Sequence, residues 1–536
     1  RRLPILSWAK DYKFTWLAQD ALAGLTVGLT AIPQGIAYAI VANLSPEYGL
    51  YASFMASFVY IVFGSCKSIT IGPTAIMATM VQPLVSKYGP DMAILLSFLK
   101  GCMIAILGLL HLGFLLDFIS LPVITGFTAA ASINIAASQI KPLLGIPGRS
   151  EDLVDALISV FSNLNAIRYE DTLLGVATII VLVLLKVYLY ASSKIKNLPG
   201  RRTGSWPQKI TWAITLARNA LVVIIGTVIA YIFYTNNKEP FKLTVIGSMG
   251  NGLPQIGLSH FSISDGNRTY DFLETTAAMG TTLFSVPIVS TIEHMAIAKA
   301  FAMGKSLDAT QEMFALGLCN MFASFVRSMP ITGSFTRTAV NHSSGVKTTL
   351  GGLFTGCLVL LASSLLTSTF RFIPKATLAG VIMCSMYYML DFKTYALIWR
   401  AKKIDFLLML ITLLFCVFYK LEWGIIIGIS LLDLPSIPKS NRSALQIEDK
   451  VAIRIIPEES ITFPAAEYFR ANIMQLSEKN SLNVVLDCKN VKRIDVTVAK
   501  VNDDLNNDLR LRGQNIVCEN CPDNIGKILK TVAPDL

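Results

Sequence analysis

SITIGPTAIM at 68–77 and SMPITGSFTRTAVN at 328–341 decide the architecture of this 536-residue chain. Each lies among long apolar segments, yet opens with Pro, Gly and small polar residues where a spanning helix favours Leu or Val. Proline lacks an N–H and glycine loosens the backbone, so a membrane helix is expected to begin at these points rather than run through them. A helix that begins at mid-membrane leaves its first N–H groups unpaired and turns its positive dipole end into the protein. Two such starts in corresponding places of two halves point to the binding site of a carrier, and to an anion as the bound group.

Composition sets the same frame. Hydrophobic residues make up 53% of the chain and charged residues 15%; a soluble chain carries about 25% charge, so most of this one is expected to face lipid. It opens Arg1-Arg2 without Met, which reads as a piece of a longer protein, and no cleavable signal peptide is visible. The net charge of +11 does not mark a nucleic-acid binder, because the cations gather in loops between apolar segments. Lys194, Lys196, Arg201, Arg202 and Lys209 form one group, Lys393, Arg400, Lys402 and Lys403 another, and Arg1, Arg2, Lys10 and Lys13 precede the first segment. These are the cytoplasmic loops of the positive-inside rule. The nine cysteines show no disulfide framework, and Cys518 and Cys521 form a C-x-x-C without a second pair or a nearby His. No metal or cofactor is implied.

Apolar segments fall at about 20–43, 49–65, 74–88, 92–116, 120–140, 172–192 and 211–235, and again at about 276–302, 310–327, 334–346, 348–371, 376–392, 405–420 and 422–434. Seven plus seven, with the short third member of each series starting at one of the two Pro/Gly breaks, predicts an α-helical polytopic membrane protein built as an inverted repeat, 20–235 against 276–434. An odd number of spans per half turns the second half over and puts all three basic segments on the cytoplasmic side with both termini. Residues 1–19 are then a cytosolic lead-in, and Asn267, in N-R-T, an extracellular glycosylation candidate. Residues 435–447 read as a linker. Beyond it, KVAIRII, NVVLDC and NIVCE read as strands and AAEYFRANIMQL and AKVNDDLNNDLRLRG as amphipathic helices, predicting a small α/β domain over 448–536. The last segment, EWGIIIGISLLDL, gives under ~20 Å of helix, so the join to the tail is expected to be shortened.

Six runs in order resemble the SulP sulfate permeases, a family of solute-carrier anion transporters: AIPQGIAYA at 31–39, PEYGLY at 46–51, IGPTAIM, LPVITGFT with SQIKPLLGI, TGSFTRTAVN, and the tail runs ITFPAAEYFR and LDCKNVKRIDVTVAK. The tail is similar to the STAS domain that follows the membrane part in that family. Among animal members the resemblance is to the sodium-independent sulfate transporter group. It implies core and gate bundles moving against each other, a homodimer, sulfate as the anion with chloride, bicarbonate or oxalate as further substrates, no enzymatic activity, and residence in the plasma membrane or the endolysosomal membrane. The tail reads Asp495-Val496-Thr497 where bacterial relatives carry a phosphorylatable Ser, so phosphoregulation there is not expected.

The candidate site follows from these readings. Thr74 and Ala75 start one half-helix; Ser334, Phe335 and Thr336 start the other, where hydroxyls and free N–H groups suit an oxyanion or simply cap the helix. Gln34, after Pro33, and Tyr38 share a helix face; the family match favours a site role for Gln34 over plain interhelical bonding. Arg337 costs roughly 2.5–3.5 kcal/mol inside a membrane, and such residues are functional by default; matching family members place it beside the anion. Glu293, in VSTIEHMAIAKAF, is expensive on the same grounds and is a candidate for proton coupling, with a permanent ion pair to Arg337 or Lys299 as the alternative. His294 reads as a packing residue. The competing functions are an uncoupled anion channel for chloride or bicarbonate and a nucleobase carrier.

Overall fold

The computed structural model describes residues 3–111, 120–148, 153–196, 218–235, 243–247, 253–257, 261–264, 269–301, 308–419, 444–448, 452–457, 460–480 and 483–533, with a few single positions between them. They fall into two compact units: residues 1–111, 135–301 and 308–387 in one, 112–134, 302–307 and 388–536 in the other.

In the first unit, α1 (Phe14–Val41) and α2 (Pro46–Phe63) cross where Gly35 meets Gly49, and a Cβ on either glycine would collide with the other's carbonyl oxygen. Lipid supplies no hydrophobic drive between helices, so close backbone approach through small residues holds them together. Strand β1 (Ile71–Gly72) then leads into α3 (Ala75–Tyr88), and α4 (Pro90–Leu109) follows after Gly89, whose φ of 85° suits only glycine. Next come α5 (Leu121–Ser138), which begins in the second unit, α6 (Tyr169–Lys196) and α7 (Arg218–Thr235). The second half opens with a helix at Phe272–Met279, bent by 60° from α8 (Thr282–Ala300), with Gly280 at positive φ in the break. Then follow α9 (Ala309–Ser324), β2 (Thr332–Gly333), α10 (Phe335–Ser343), α11 (Gly351–Leu365) and α12 (Lys375–Met389). α4 packs on α9 through facing glycines: a Cβ on Gly101 would lie 2.6 Å from the Met321 amide nitrogen, and one on Gly317 2.5 Å from that of Ala105. Asp20, fully buried in α1, fixes the start of α11 by accepting from the Lys347 and Thr348 amides at 2.7 and 3.1 Å and from the Thr348 hydroxyl at 2.6 Å.

A helix lies within every expected apolar segment but the last, which falls almost wholly outside the described residues, as do Asn267 and most of the basic loop around Arg201. Among the described residues, four helices are long and apolar enough to cross a membrane, or five when the bent pair is taken as one span. The third member of each series is short because it starts late: α3 has 14 residues and α10 has nine, roughly 21 and 14 Å of helix.

The second unit holds α13 (Phe392–Ala401), α14 (Lys403–Phe418) and the tail. The tail's sheet runs β3 (Ala444–Glu448), β4 (Ala452–Pro457), β5 (Asn483–Asp487) and β6 (Ile516–Glu519) in that spatial order, antiparallel at the first pairing and parallel at the next two. Its helices are α15 (Phe463–Asn480), α16 (Val496–Leu511) and α17 (Asp523–Val532). β3 begins inside the stretch read as linker, because 444–448 alternates apolar and polar residues and pairs in register with β4. Asp495 caps α16, accepting from the Val498 amide at 2.9 Å, and also accepts from the Phe463 amide at 2.6 Å, so one carboxylate joins two helix starts. Thr497, on the first turn of α16, accepts from the Leu121 amide at the start of α5, 3.1 Å away.

Candidate functional site

The two Pro/Gly stretches form one structure. β1 and β2 pair antiparallel, Ile71 opposite Gly333 and Gly72 opposite Thr332. Each strand is two residues long and ends at a helix start, so the pairing sets the N-terminus of α3 beside that of α10. Further bonds fix the register. The Ser334 amide donates to the Thr70 carbonyl at 3.0 Å, the Thr70 amide to the Thr338 hydroxyl at 3.2 Å, and the Asn341 amide group to the Ser68 carbonyl at 2.9 Å. The irregular backbone that lipid forbids is thereby satisfied inside the protein.

Around this junction the sequence-predicted residues converge. Thr74 caps α3, its hydroxyl accepting from the Met77 amide at 3.4 Å. Ser334 occupies the cap position of α10 but makes no capping bond there; its hydroxyl faces that of Thr336 at 3.4 Å. Arg337, 2% exposed, donates to the Pro73 carbonyl at 2.9 Å and to Gln34 Oε1 at 3.4 Å, and Gln34 Nε2 donates to the Thr336 hydroxyl at 3.5 Å. Gln34 on α1 thus ties α10 to the entry of α3. Gly72 lets the guanidinium sit close, because a Cβ there would lie 2.9 Å from the Arg337 guanidinium. Ala75 and Tyr38 are buried beside these groups, whereas Phe335 is exposed and meets Phe301 in a tilted ring contact, centroids 5.5 Å apart.

Arg337 therefore rests on neutral oxygens. Glu293 on α8 lies within electrostatic range of Arg337, Lys100 and Tyr38, and its Oε2 is buried without a hydrogen-bond partner. No ion pair joins Glu293 to Arg337 among the described residues, and the Lys299 side chain lies outside them. The site is a cation, a separated carboxylate and two helix N-termini. Each terminus offers unpaired N–H groups and a dipole worth ~0.3–1 kcal/mol exposed and about 2 kcal/mol partly buried.

Three buried charged groups carry this arrangement, and the sequence reading passed over them. Glu312, at the start of α9, is fully buried and accepts from Tyr60 Oη at 2.9 Å, His294 Nε2 at 2.8 Å, the Ser65 and Cys66 amides at 2.9 and 3.0 Å, and the Ser65 hydroxyl. It fixes the loop that leads into β1, and His294 serves this packing cluster. Lys100 on α4 is fully buried and donates to the Ile331 carbonyl at 2.6 Å, directly before β2. Asp20 is the third. A lysine inside AILLSFLKGCMIAILGLL and a carboxylate in the first turn of an apolar helix are visible signals, and on insertion cost they rank with Arg337. In the tail, Cys488, Cys518 and Cys521 lie within electrostatic range of one another, and burial pushes the Cys521 thiol up to about 12. A thiol held protonated is a poor nucleophile or metal ligand at neutral pH.

Residues 17–412 match the sulfate permease family and residues 444–532 the STAS domain. The sodium-independent sulfate anion transporter of Bos taurus is 39% identical over 516 residues, covering 95% of this chain and 85% of its own length. A probable sulfate permease of Schizosaccharomyces pombe is 31% identical over 80% of this chain but only 48% of its own, and the probable sulfate transporter 4.2 of Arabidopsis thaliana 33% identical over 80% and 60%. Among solved structures, the murine solute carrier 26 family member A9 anion transporter in the inward-facing state superposes with a TM-score of 0.69 at 22% identity, covering 99% of this chain and 90% of that one. The transmembrane domain of a cyanobacterial bicarbonate transporter gives 0.60 at 18% identity, covering 78% and 98%. The fold is that of these helical transporters with a C-terminal STAS domain.

The Glu312 cluster yields a direct check. Glu312→Ala strands a buried imidazole, a phenol and two amides, and is expected to destabilise the protein by about 3–5 kcal/mol. Thermal unfolding in detergent reads this as a lowered midpoint; an unshifted midpoint would show that the cluster does not hold the loop before β1.

Proposed function

Because the chain belongs to the sulfate permease family, we propose that it carries inorganic anions, sulfate first, across a membrane by alternating access. The anion sits between the N-termini of α3 and α10, contacted by Ser334, Thr336 and the free N–H groups from Ala75 and Phe335 onward, with Arg337, Gln34 and Tyr38 behind them. One observation carries this reading: Arg337 is buried against neutral oxygens at the meeting point of two helix N-termini, which leaves its charge for a ligand. Chloride, bicarbonate and oxalate fit the same chemistry as further substrates. The basic loops support cytoplasmic termini, and the family resemblance supports a homodimer.

Transport is coupled to a proton through Glu293. A carboxylate facing an anion site repels the substrate unless it is neutralised, and the buried, unpartnered Oε2 can hold a proton. Proton and sulfate binding are then linked, each favouring the other. An uncoupled channel needs no such group. The tail serves contact and regulation.

Arg337→Ala is expected to weaken sulfate uptake at least tenfold in apparent affinity, on the order of 1.4 kcal/mol, with normal surface expression. Unchanged affinity and selectivity would remove Arg337 from the site. Acid outside should lower the apparent KM for sulfate. Glu293→Gln, which mimics the protonated carboxyl, should make uptake insensitive to pH and keep sulfate binding at neutral pH. A well-expressed Glu293→Gln variant that retains the full pH dependence would exclude Glu293 as the proton site.

A further inference from the structure

Lys100 sits in the middle of α4, fully buried, on an otherwise apolar run. Its ammonium donates to the Ile331 carbonyl at 2.6 Å and lies 3.7 Å from the Met77 sulfur. The Ile331 peptide is itself clamped, its carbonyl accepting from Asn320 Nδ2 and its amide donating to Asn320 Oδ1, both at 3.0 Å. The cation is therefore held at a fixed place beside β2, bonded to a neutral carbonyl and a thioether with no ion pair among the described residues. A lysine bonded only to neutral groups in a low-dielectric interior keeps its charge only with a counter-charge nearby. α8 is bonded to β2 at this point, the Thr332 hydroxyl donating to the Ser290 carbonyl at 2.8 Å, and Glu293, three residues further along α8, is the carboxylate in electrostatic range of Lys100.

We propose that Lys100 is the counter-charge of Glu293, a positioning residue that sets the pH range of coupled uptake and allows a divalent anion to be loaded without net charge. The inference rests on Glu293 being the coupling site proposed above. Lys100 from α4, Arg337 from α10 and the Tyr38 phenol from α1 lie within electrostatic range of Glu293, and the Thr74 hydroxyl at the start of α3 is a polar neighbour. His294, its chain neighbour, is engaged by Glu312. With Lys100 and Arg337 charged and Glu293 ionised, the empty site carries one positive charge. With Glu293 protonated and a divalent anion bound, it carries none. Without Lys100 the same loaded state would hold an uncompensated negative charge in a dry interior, which is costly. A monovalent anion gains less from the second cation.

The experiment is uptake of radiolabelled sulfate and chloride into proteoliposomes across the neutral pH range, for wild type and for K100R, K100M, E293Q and E293Q/K100M, with thermal unfolding of each. Removing a neighbouring cation raises the proton affinity of a carboxylate by ~1 pH unit or more. K100M should thus shift the midpoint of pH-dependent sulfate uptake to higher pH by at least that amount and lower the preference for sulfate over chloride, while K100R keeps both near wild type. A lysine that only packs α4 against β2 would move neither readout, so K100M transporting with an unchanged midpoint overturns the proposal. If K100M is too unstable to assay, stability decides. Each single variant leaves a buried charge unpaired, so E293Q/K100M should unfold at a higher temperature than K100M, and a double variant no more stable than K100M overturns the pairing. The Glu293 reading fails separately, through E293Q that keeps its pH dependence; the stability comparison then decides on Lys100 by itself.

Discussion

The four-residue antiparallel pairing of β1 with β2 is the constraint on which the transport part depends. Backbone that is neither helix nor closed sheet cannot sit at membrane depth unless the protein satisfies it. Here Ile71 opposite Gly333 and Gly72 opposite Thr332 satisfy it with each other, and in doing so they place two helix N-termini at one spot. Everything around the junction supports that pairing: Asn341 and Thr338 bond the strand before α3, Asn320 and Lys100 clamp Ile331, and Glu312 holds the loop at Ser65 and Cys66. The buried charges lie around the proposed site and hold its backbone in place.

This arrangement has a consequence for energetics. A fixed anion site made from a full ion pair would bind tightly and release slowly. In the proposed site, partial charges at two helix ends, with Arg337 set against carbonyl oxygens, offer a few kcal/mol of attraction that a conformational change can withdraw. Glycines at the α1–α2 and α4–α9 crossings bring backbones together, so the helices bearing Gln34, Lys100 and Glu312 form a rigid frame around the short half-helices.

Much of this was legible in the sequence. The Pro/Gly breaks gave the two half-helices almost to the residue, because Pro73 and the Thr74 cap leave few alternatives for where α3 begins. Alternation of strand and helix patterns exposed the tail domain, although β3 was hidden by the Pro- and Ser-rich residues that precede it. The convergence of Gln34 with Thr336 and Arg337 was not derivable from spacing, since it spans about three hundred residues and depends on the strand pairing. Lys100 and Glu312 were missed for a different reason. They lie in regular helices far from the Pro/Gly breaks, and their importance shows only through the partners that the fold delivers. Whether Glu293 and Arg337 form an ion pair also required geometry, because sequence gives their cost but not their separation.

The central claim is that an oxyanion binds between the N-termini of α3 and α10. Selenate, an isostere of sulfate with an anomalous X-ray signal, locates it directly in crystals of the full chain. The account predicts one anomalous peak within hydrogen-bond reach of Ser334 and Thr336 and of the first N–H groups of both half-helices, abolished by excess sulfate. A peak elsewhere in the membrane part, with this junction empty at saturating selenate, would contradict it.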